Sequence, residues 1–250
     1  MSNGPNHAPK ALIFAAGLGE RMRPLTERIP KPLLPVAGKP LIVWHLEKLA
    51  AIGVRDVVVN TSWLAGQFPR ALGDGDHWGL RLHYCYEGPT PLETGGGMWN
   101  ALPLLGDAPF LLVNGDVWTD YDFARLPAAP AGLAHLVMVD PPVQAVGGDF
   151  VLADDGHVRS EGAVRLTYSG IGVYRPELLH DWQSVIGEPQ PESGKPRFKL
   201  APILRARMAS GAITGERHRG RWTDVGTPAR LTALEQTLAD TEGDITAGAG

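Results

Sequence analysis

Two glycines, an arginine and a lysine near the start of the chain have the types and spacing to hold a polyphosphate. The segment Ala15-Ala16-Gly17-Leu18-Gly19-Glu20-Arg21-Met22 follows a short apolar run. Small residues let a backbone approach phosphate closely, and its amides then donate to phosphate oxygens. A plain tight turn after a strand has the same composition. Arg21 adds a delocalised cation. Lys31 lies ten residues further on, between Pro30 and Pro32. The prolines predict a stiff, extended segment that carries the lysine back to the phosphates at little entropic cost. Two carboxylates complete the set. Asp116 stands in Asn114-Gly115-Asp116, directly after the most apolar run of the chain, and Asp224 in Arg221-Trp222-Thr223-Asp224-Val225-Gly226-Thr227. Carboxylates beside phosphates suit Mg²⁺, which takes oxygen ligands and binds through one or two carboxylates plus phosphate. Asp224 equally suits a second role, as an anion at the start of a helix.

Spacing excludes two other phosphate loops. A dinucleotide fingerprint needs a third glycine opening a helix, and Met22 occupies that place, with Pro24 soon after. A Walker loop needs Gly-Lys followed by Ser or Thr, and Gly38-Lys39 is followed by Pro40. The histidines show no spacing suited to zinc.

The elements that must position these residues are read from pattern. Ala11 to Ala15 predicts a buried strand, and Arg23 to Pro40, with five prolines, excludes a regular helix. A helix is predicted from Leu41 to Ile52, stopping at Gly53, and a strand from Asp56 to Asn60. Ser62 is predicted to cap a helix through Leu72. Strands are predicted at Leu80–Cys85 and Phe110–Val113, with a helix from Gly97 to Leu105 between them. In the second half, Leu133–Val139 and Gly170–Tyr174 read as strands, and Phe150–Arg159 as a hairpin turning at Asp154-Asp155-Gly156. Gly187 to Arg197 reads as a loop. Thr227 is predicted to cap a last helix with Pro228 at its first position and Leu231, Leu234 and Leu238 on one face. Asn60, at a strand end, is a nucleotide-pocket candidate or a buried asparagine that satisfies loop backbone. Arg217-His218-Arg219 with Arg221 reads as a solvated basic turn. The alternation of strands and helices predicts an α/β fold with a mostly parallel sheet and helices on both faces. One domain is expected over residues 11–238, with a disordered leader at 1–10 and a flexible tail at 239–250.

The bulk numbers agree. In 250 residues, 44% are hydrophobic and the net charge is −4. A general nucleic-acid footprint would need a basic excess. No run of about 18 apolar residues predicts a membrane span, and Met1 to Lys10 lacks the apolar region of a signal peptide. Cys85 is the only cysteine, so no intramolecular disulfide forms and a reducing, cytoplasmic compartment is expected. Cys85 itself reads as a strand residue.

With Arg23-Pro24-Leu25-Thr26 and Pro30-Lys31-Pro32-Leu33, the run from Ala15 to Arg21 resembles the signature of the sugar-1-phosphate nucleotidyltransferases. The resemblance extends from about Ala11 to Leu238. It implies a Rossmann-like three-layer sandwich with a mixed central sheet, and a reaction in which a sugar phosphate attacks the α-phosphorus of a nucleoside triphosphate. It implies phosphate contacts from Ala16, Gly17, Gly19, Glu20, Arg21 and Lys31, although Glu20 stands where many members carry Ser or Thr. It places Glu93, Thr94 and Gly95 beside the base and ribose, and Asp116 with Asp224 around Mg²⁺. Phe110 to Asp122, Phe198 to Pro202 and Trp222 to Thr227 look most like the N-acetylmuramate α-1-phosphate uridylyltransferases. That likeness implies UTP and N-acetylmuramic acid 1-phosphate as substrates. It places Asn114, Gly115, Gly148, Asp149, Ser169 and Gly170 along the sugar, with Glu161 on the same face. Asp149 would accept sugar hydroxyl bonds or cap a hairpin; Lys199 would meet the sugar phosphate or lie exposed. Alternatives are a mannose- or glucose-1-phosphate nucleotidyltransferase and, from another class, a non-catalytic sugar-nucleotide sensor. A monomer or small homo-oligomer is expected.

Overall fold

A computed structural model of the chain describes residues 9–142, 147–187 and 194–247. In chain order, the first half holds β1 (Lys10–Phe14), β2 (Pro35–Val36), β3 (Lys39–Pro40), α1 (Leu41–Ala51), β4 (Asp56–Thr61) and α2 (Gln67–Leu72). Then follow β5 (Arg81–Tyr86), α3 (Glu93–Leu105), β6 (Phe110–Asn114), β7 (Val117–Thr119) and β8 (Ala134–Val139). The second half adds β9 (Val151–Leu152), β10 (Val158–Arg159), β11 (Thr167–Tyr174), α4 (Trp182–Ile186), α5 (Leu200–Met208), β12 (Ile213–Arg217), β13 (Trp222–Asp224) and α6 (Pro228–Ala247). Among the described residues, no helix is long and apolar enough to cross a membrane.

Seven strands form one sheet in the order β12-β8-β11-β6-β1-β4-β5. All neighbours pair in parallel except β11, which runs antiparallel to both β6 and β8. Successive strand residues point to opposite faces, and the core follows that rule. Leu12, Val58 and Leu112 pack with Met98 and Ala101 of α3 and with Ile203 and Leu204 of α5. Ala11, Ile13, Val57, Val59, Leu111 and Val113 pack with Ile42, Leu46 and Leu49 of α1 and Phe68 of α2. Both faces are covered, as a parallel sheet requires, and the result is the predicted three-layer α/β sandwich. A third cluster joins Met22, Leu34, Val36, Leu41 and Trp118 to Val225 and to Leu231, Leu234 and Leu238 of α6. It docks the last helix against the β7–β13 pair.

Several sequence expectations are corrected. Ser62 caps no helix: its hydroxyl donates to the Gly88 carbonyl at 2.7 Å, because the chain there is still tied to the next strand by Glu87 N to Thr61 O. α2 therefore begins only at Gln67. Lys31 opens a short 3₁₀ turn, Lys31–Leu33, rather than sitting in extended chain. α3 starts at Glu93, four residues before the predicted Gly97. The 217–221 turn is not merely solvated, since Arg217 pairs with Asp140 and His218 with Asp120. α6 runs through Ala247, so the last helix continues into the expected tail. Most of the expected leader (1–8), the last three residues of the expected tail and 188–193 of the expected loop lie outside the described residues. The hairpin β9–β10 and the Thr227 cap, with Arg230 N on Thr227 Oγ1 at 3.4 Å, follow the sequence reading.

Candidate active site

Phe14, Asn60 and Asn114 stand side by side in register at the ends of β1, β4 and β6. A cavity of about 590 Å³ opens there, at the carboxyl end of a parallel sheet where ligands of such folds bind. It is lined by the whole Phe14–Met22 loop, Lys31, Asn60, Glu87, Glu93, Thr94, Asn114, Asp116, Arg197 and Gly226. Ala16, Gly17, Gly19, Glu20, Arg21 and Lys31 are thus brought together.

The two loop glycines differ in purpose. Gly19 has φ +64, and a Cβ there would lie 2.7 Å from Thr26 Cγ2, while Thr26 Oγ1 donates to Gly19 O at 2.7 Å. Gly19 shapes the turn. A Cβ on Gly17 would meet nothing within 4 Å, so Gly17 leaves open space on the cavity side.

Behind the loop runs a buried relay. Asn60 Oδ1 accepts from Ala15 N at 2.6 Å, and Asn60 Nδ2 donates to Glu87 Oε1 at 2.5 Å. Glu87 Oε2 accepts from Leu92 N at 2.7 Å. Asn60 is therefore an asparagine that satisfies loop backbone at the cavity wall. Burial pushes the Glu87 carboxyl above its ordinary range, against the hydrogen bonds from Leu92 and Asn60.

The three glycines of α3 make a close approach, but to protein. A Cβ on Gly95 would sit 2.5 Å from the Phe198 ring, one on Gly96 2.4 Å from Pro196 O, and one on Gly97 2.5 Å from Glu87 Oε1. Gly95 N and Gly96 N both donate to Phe198 O, at 2.9 and 3.0 Å. Thr94 Oγ1 accepts from Leu200 N at 2.9 Å. Gly95 is thus packed beneath Phe198 and does not line the cavity. Glu93 and Thr94 do line the cavity, with Glu93 held by Arg197 Nη2 at 3.1 Å.

The carboxylates are placed by strand pairing. β7 and β13 run antiparallel, Asp224 opposite Val117, and Val225 N donates to Asp116 O at 2.8 Å. This sets Asp116, in the turn just before β7, beside the end of β13 that carries Asp224. Lys31 Nζ lies 2.5 Å from Asp116 Oδ2. Asp224 stands one step behind the cavity lining and pairs with Arg230 of α6. Between them sits Gly226, where a Cβ would lie 3.1 Å from Asp224 Oδ2 and 3.3 Å from Arg21 Nη2. Among the described residues, no group of three or more His, Cys, Asp or Glu side chains gathers as a metal cluster. Two carboxylates that leave positions for phosphate and water fit a hard divalent cation. His45 Nε2 donates to Val117 O at 2.8 Å, fixing the residue that follows Asp116 at the start of β7. Burial pushes the His45 imidazole down to about 4.

The predicted sugar side is looser. Gly115 does not line the cavity: its amide donates to Phe14 O at 2.9 Å, and a Cβ would lie 2.8 Å from that same oxygen. Gly170, at φ +80, leaves room for Asn114, whose Nδ2 would be 2.5 Å from its Cβ. Ser169 is buried, its Oγ accepting from Ile171 N at 3.2 Å. Asp149 Oδ2 accepts from Tyr168 N at 2.9 Å, the loop-capping alternative. Lys199 is exposed just before α5. Glu161 lies apart from this cavity, lining a separate one with Asp155, His157 and Arg159. Sequence reasoning missed Glu87, Arg197 and Arg230. A charged residue closing an apolar strand was the available signal for Glu87; Arg197 falls in the predicted loop, and nothing local marks Arg230.

A glycine loop, Arg21, Lys31 and Asp116 gather around one cavity at the carboxyl end of a mostly parallel sheet, with Asp224 just behind it. The chain belongs to the nucleotidyl transferase family, which its residues 10–139 match. It is 48% identical to N-acetylmuramate alpha-1-phosphate uridylyltransferase of Neisseria meningitidis serogroup B over 89% of this chain and 95% of that one. It is 35% identical to the enzyme of the same name from Caulobacter vibrioides, over 94% of this chain and 99% of the other. In fold it matches a Bacillus anthracis structure described as a glucose-1-phosphate thymidylyltransferase, with TM-score 0.77, 21% identity and coverage of 92% and 95%.

Proposed function

We propose that the protein transfers a uridylyl group from UTP to N-acetylmuramic acid 1-phosphate, with Mg²⁺, giving UDP-N-acetylmuramic acid and pyrophosphate. The observation that carries this reading is the 48% identity to a uridylyltransferase along nearly the full length of both chains. It spans the second half, where acceptor contacts would lie, as well as the loop. Peptidoglycan recycling in a reducing, cytoplasmic compartment is the setting that suits this reaction and the lone, buried Cys85.

The chemistry needs no covalent intermediate. An oxygen of the sugar phosphate forms a bond to the α-phosphorus as the bond to the pyrophosphate oxygen breaks. The residues must align two anions in line and offset their repulsion. The Phe14–Met22 loop would hold the triphosphate, with Gly17 leaving the space. Arg21 and Lys31 would balance charge accumulating on the departing pyrophosphate. Asp116 and Asp224 would hold Mg²⁺, which when bound polarises the α-phosphate. Glu93 and Thr94 would border the base and ribose; Asn114, set by Gly170, would face the sugar.

Pyrophosphate release, with the product identified by mass spectrometry, tests the reading across UTP, GTP and ATP against several sugar phosphates. UDP-N-acetylmuramic acid is expected to dominate. Dominant GDP-mannose or ADP-glucose would transfer the assignment to the alternative acceptors. Tight UTP binding with no product from any pair would point to a sugar-nucleotide sensor.

A further inference from the structure

Asp116, in the turn leading into β7, and Asp224, at the end of β13, each already carry a cation supplied by the chain. Lys31 Nζ sits on Asp116 Oδ2 at 2.5 Å, and Arg230 Nη1 sits on Asp224 Oδ1. Arg230 is not a drifting surface side chain. It projects from the first turn of α6, whose entry is fixed by Thr227 and whose apolar face is buried through Leu231, Leu234 and Leu238. Its side chain is only 27% exposed. At Gly226, the place a Cβ would take is 3.1 Å from Asp224 Oδ2 and 3.3 Å from each of Arg21 Nη2 and Arg230 Nη1. Two guanidinium groups and a carboxylate thus crowd around one residue without a side chain.

The charges follow. Asp116 and Asp224 bring two negatives, and Arg21, Lys31 and Arg230 bring three positives. A free divalent cation approaching Asp224 meets a fixed positive neighbour within a few ångströms. Such repulsion is weakly screened in a partly buried site. A triphosphate reverses the balance by adding several negative charges beside Arg21 and Lys31.

We propose that Arg230 is a resident counter-ion of Asp224 that keeps the two-carboxylate site from capturing a divalent cation until the triphosphate is bound. Metal occupancy then reports nucleotide occupancy. This inference rests on the assignment of Asp116 and Asp224 to the metal. Arg230 acts through Asp224 and is a positioning residue.

The test is Mn²⁺ binding to the nucleotide-free protein, followed by loss of the free-ion paramagnetic resonance signal. R230Q and R230L, checked for folding by circular dichroism, are both expected to bind Mn²⁺ at least about tenfold more tightly than wild type. R230K, which keeps the charge, should stay within about twofold of wild type. The gain should vanish when D224N is added to R230Q. Charge-free variants that bind no more tightly than wild type would overturn the counter-ion role. A gain that survives D224N would overturn the metal assignment and the inference with it. Failure of the enzymatic reading shows separately, as absence of UDP-sugar product from wild-type protein.

Discussion

The nucleotide side and the acceptor side of this site are built by opposite strategies. The first is a contiguous loop, Phe14–Met22, braced from behind by a buried relay from Ala15 through Asn60 and Glu87 to Leu92. The second is gathered from segments far apart in sequence, and several of its predicted members turn out to serve the fold. Ser169 and Asp149 spend their polar atoms on backbone, and Gly170 acts by leaving room for Asn114. A contiguous, braced loop suits a ligand part common to many substrates, the triphosphate. A dispersed wall can change its acceptor by small local substitutions. On the proposed function, the reaction class resides in the braced side and the specificity in the gathered one.

The largest effect should come from the carboxylates where the two sides meet. Asp116→Asn and Asp224→Asn are each expected to lower kcat by roughly a hundredfold or more, since each weakens the same metal contact. The double variant should fall far short of the product of the two; multiplicative losses would show that the residues act separately. Next, Lys31→Ala should cost roughly tenfold to a few hundredfold in kcat/KM, equivalent to about 1.5–3 kcal/mol for a charge-assisted phosphate contact. A folded variant with wild-type pyrophosphate release would remove Lys31 from the braced side.

The support beneath Asp116 is a third lever. His45 is buried, with Nδ1 lacking a partner, and its folded pKa of about 4 lies below its ordinary 6.5. The unfolded chain therefore binds the extra proton first. The His45 contribution is fully present above about pH 6.5 and is lost as pH falls towards 4. Between pH 7 and 5 wild type should lose about 2 kcal/mol through this group. Urea melts at the two pH values should show a smaller loss in His45→Gln; an equal loss would place the effect elsewhere.

Glu87→Gln probes the relay. Both carboxylate oxygens accept from donors, so an amide must set its NH₂ against Asn60 Nδ2 or Leu92 N. A mismatch of about 1–2 kcal/mol predicts roughly tenfold higher KM for UTP with little change in kcat. Unchanged UTP affinity would mean the relay does not shape the loop. At the small end, Glu161→Ala should alter activity less than about twofold, being a surface change away from the cavity. A tenfold loss would erase the distinction drawn between the two sides.

Much of this was legible from sequence because the signals were local. Short apolar and β-branched runs predicted the strands, and the loop with Arg21 and Lys31 was a single run of residues. Asp116 and Asp224 were readable because each stands at or just beyond the end of an apolar strand run. What stayed hidden depends on partners distant along the chain. Glu87 gains meaning only through Asn60 and Leu92, Arg197 through Glu93, and Arg230 through its fixed place on α6. Gly95, placed beside the base and ribose by resemblance, is packed beneath Phe198. Glycine signals close approach, but whether the visitor is a ligand or another stretch of chain is decided by tertiary packing.

The glycines of α3 have one more consequence. Gly95 and Gly96 make α3 so slender on one side that Phe198, about a hundred positions away, hydrogen-bonds straight to its backbone. Leu92 O receives Phe198 N at 3.1 Å, so the bonding runs in both directions. The join works as a welded seam rather than a hinge. The base-side wall and the chain leading into α5 form one plate with no slack for an added methyl. If this wall opens to admit a nucleotide, α3 and the entry to α5 must swing as a unit, and the Phe14–Met22 loop is the edge against which they close.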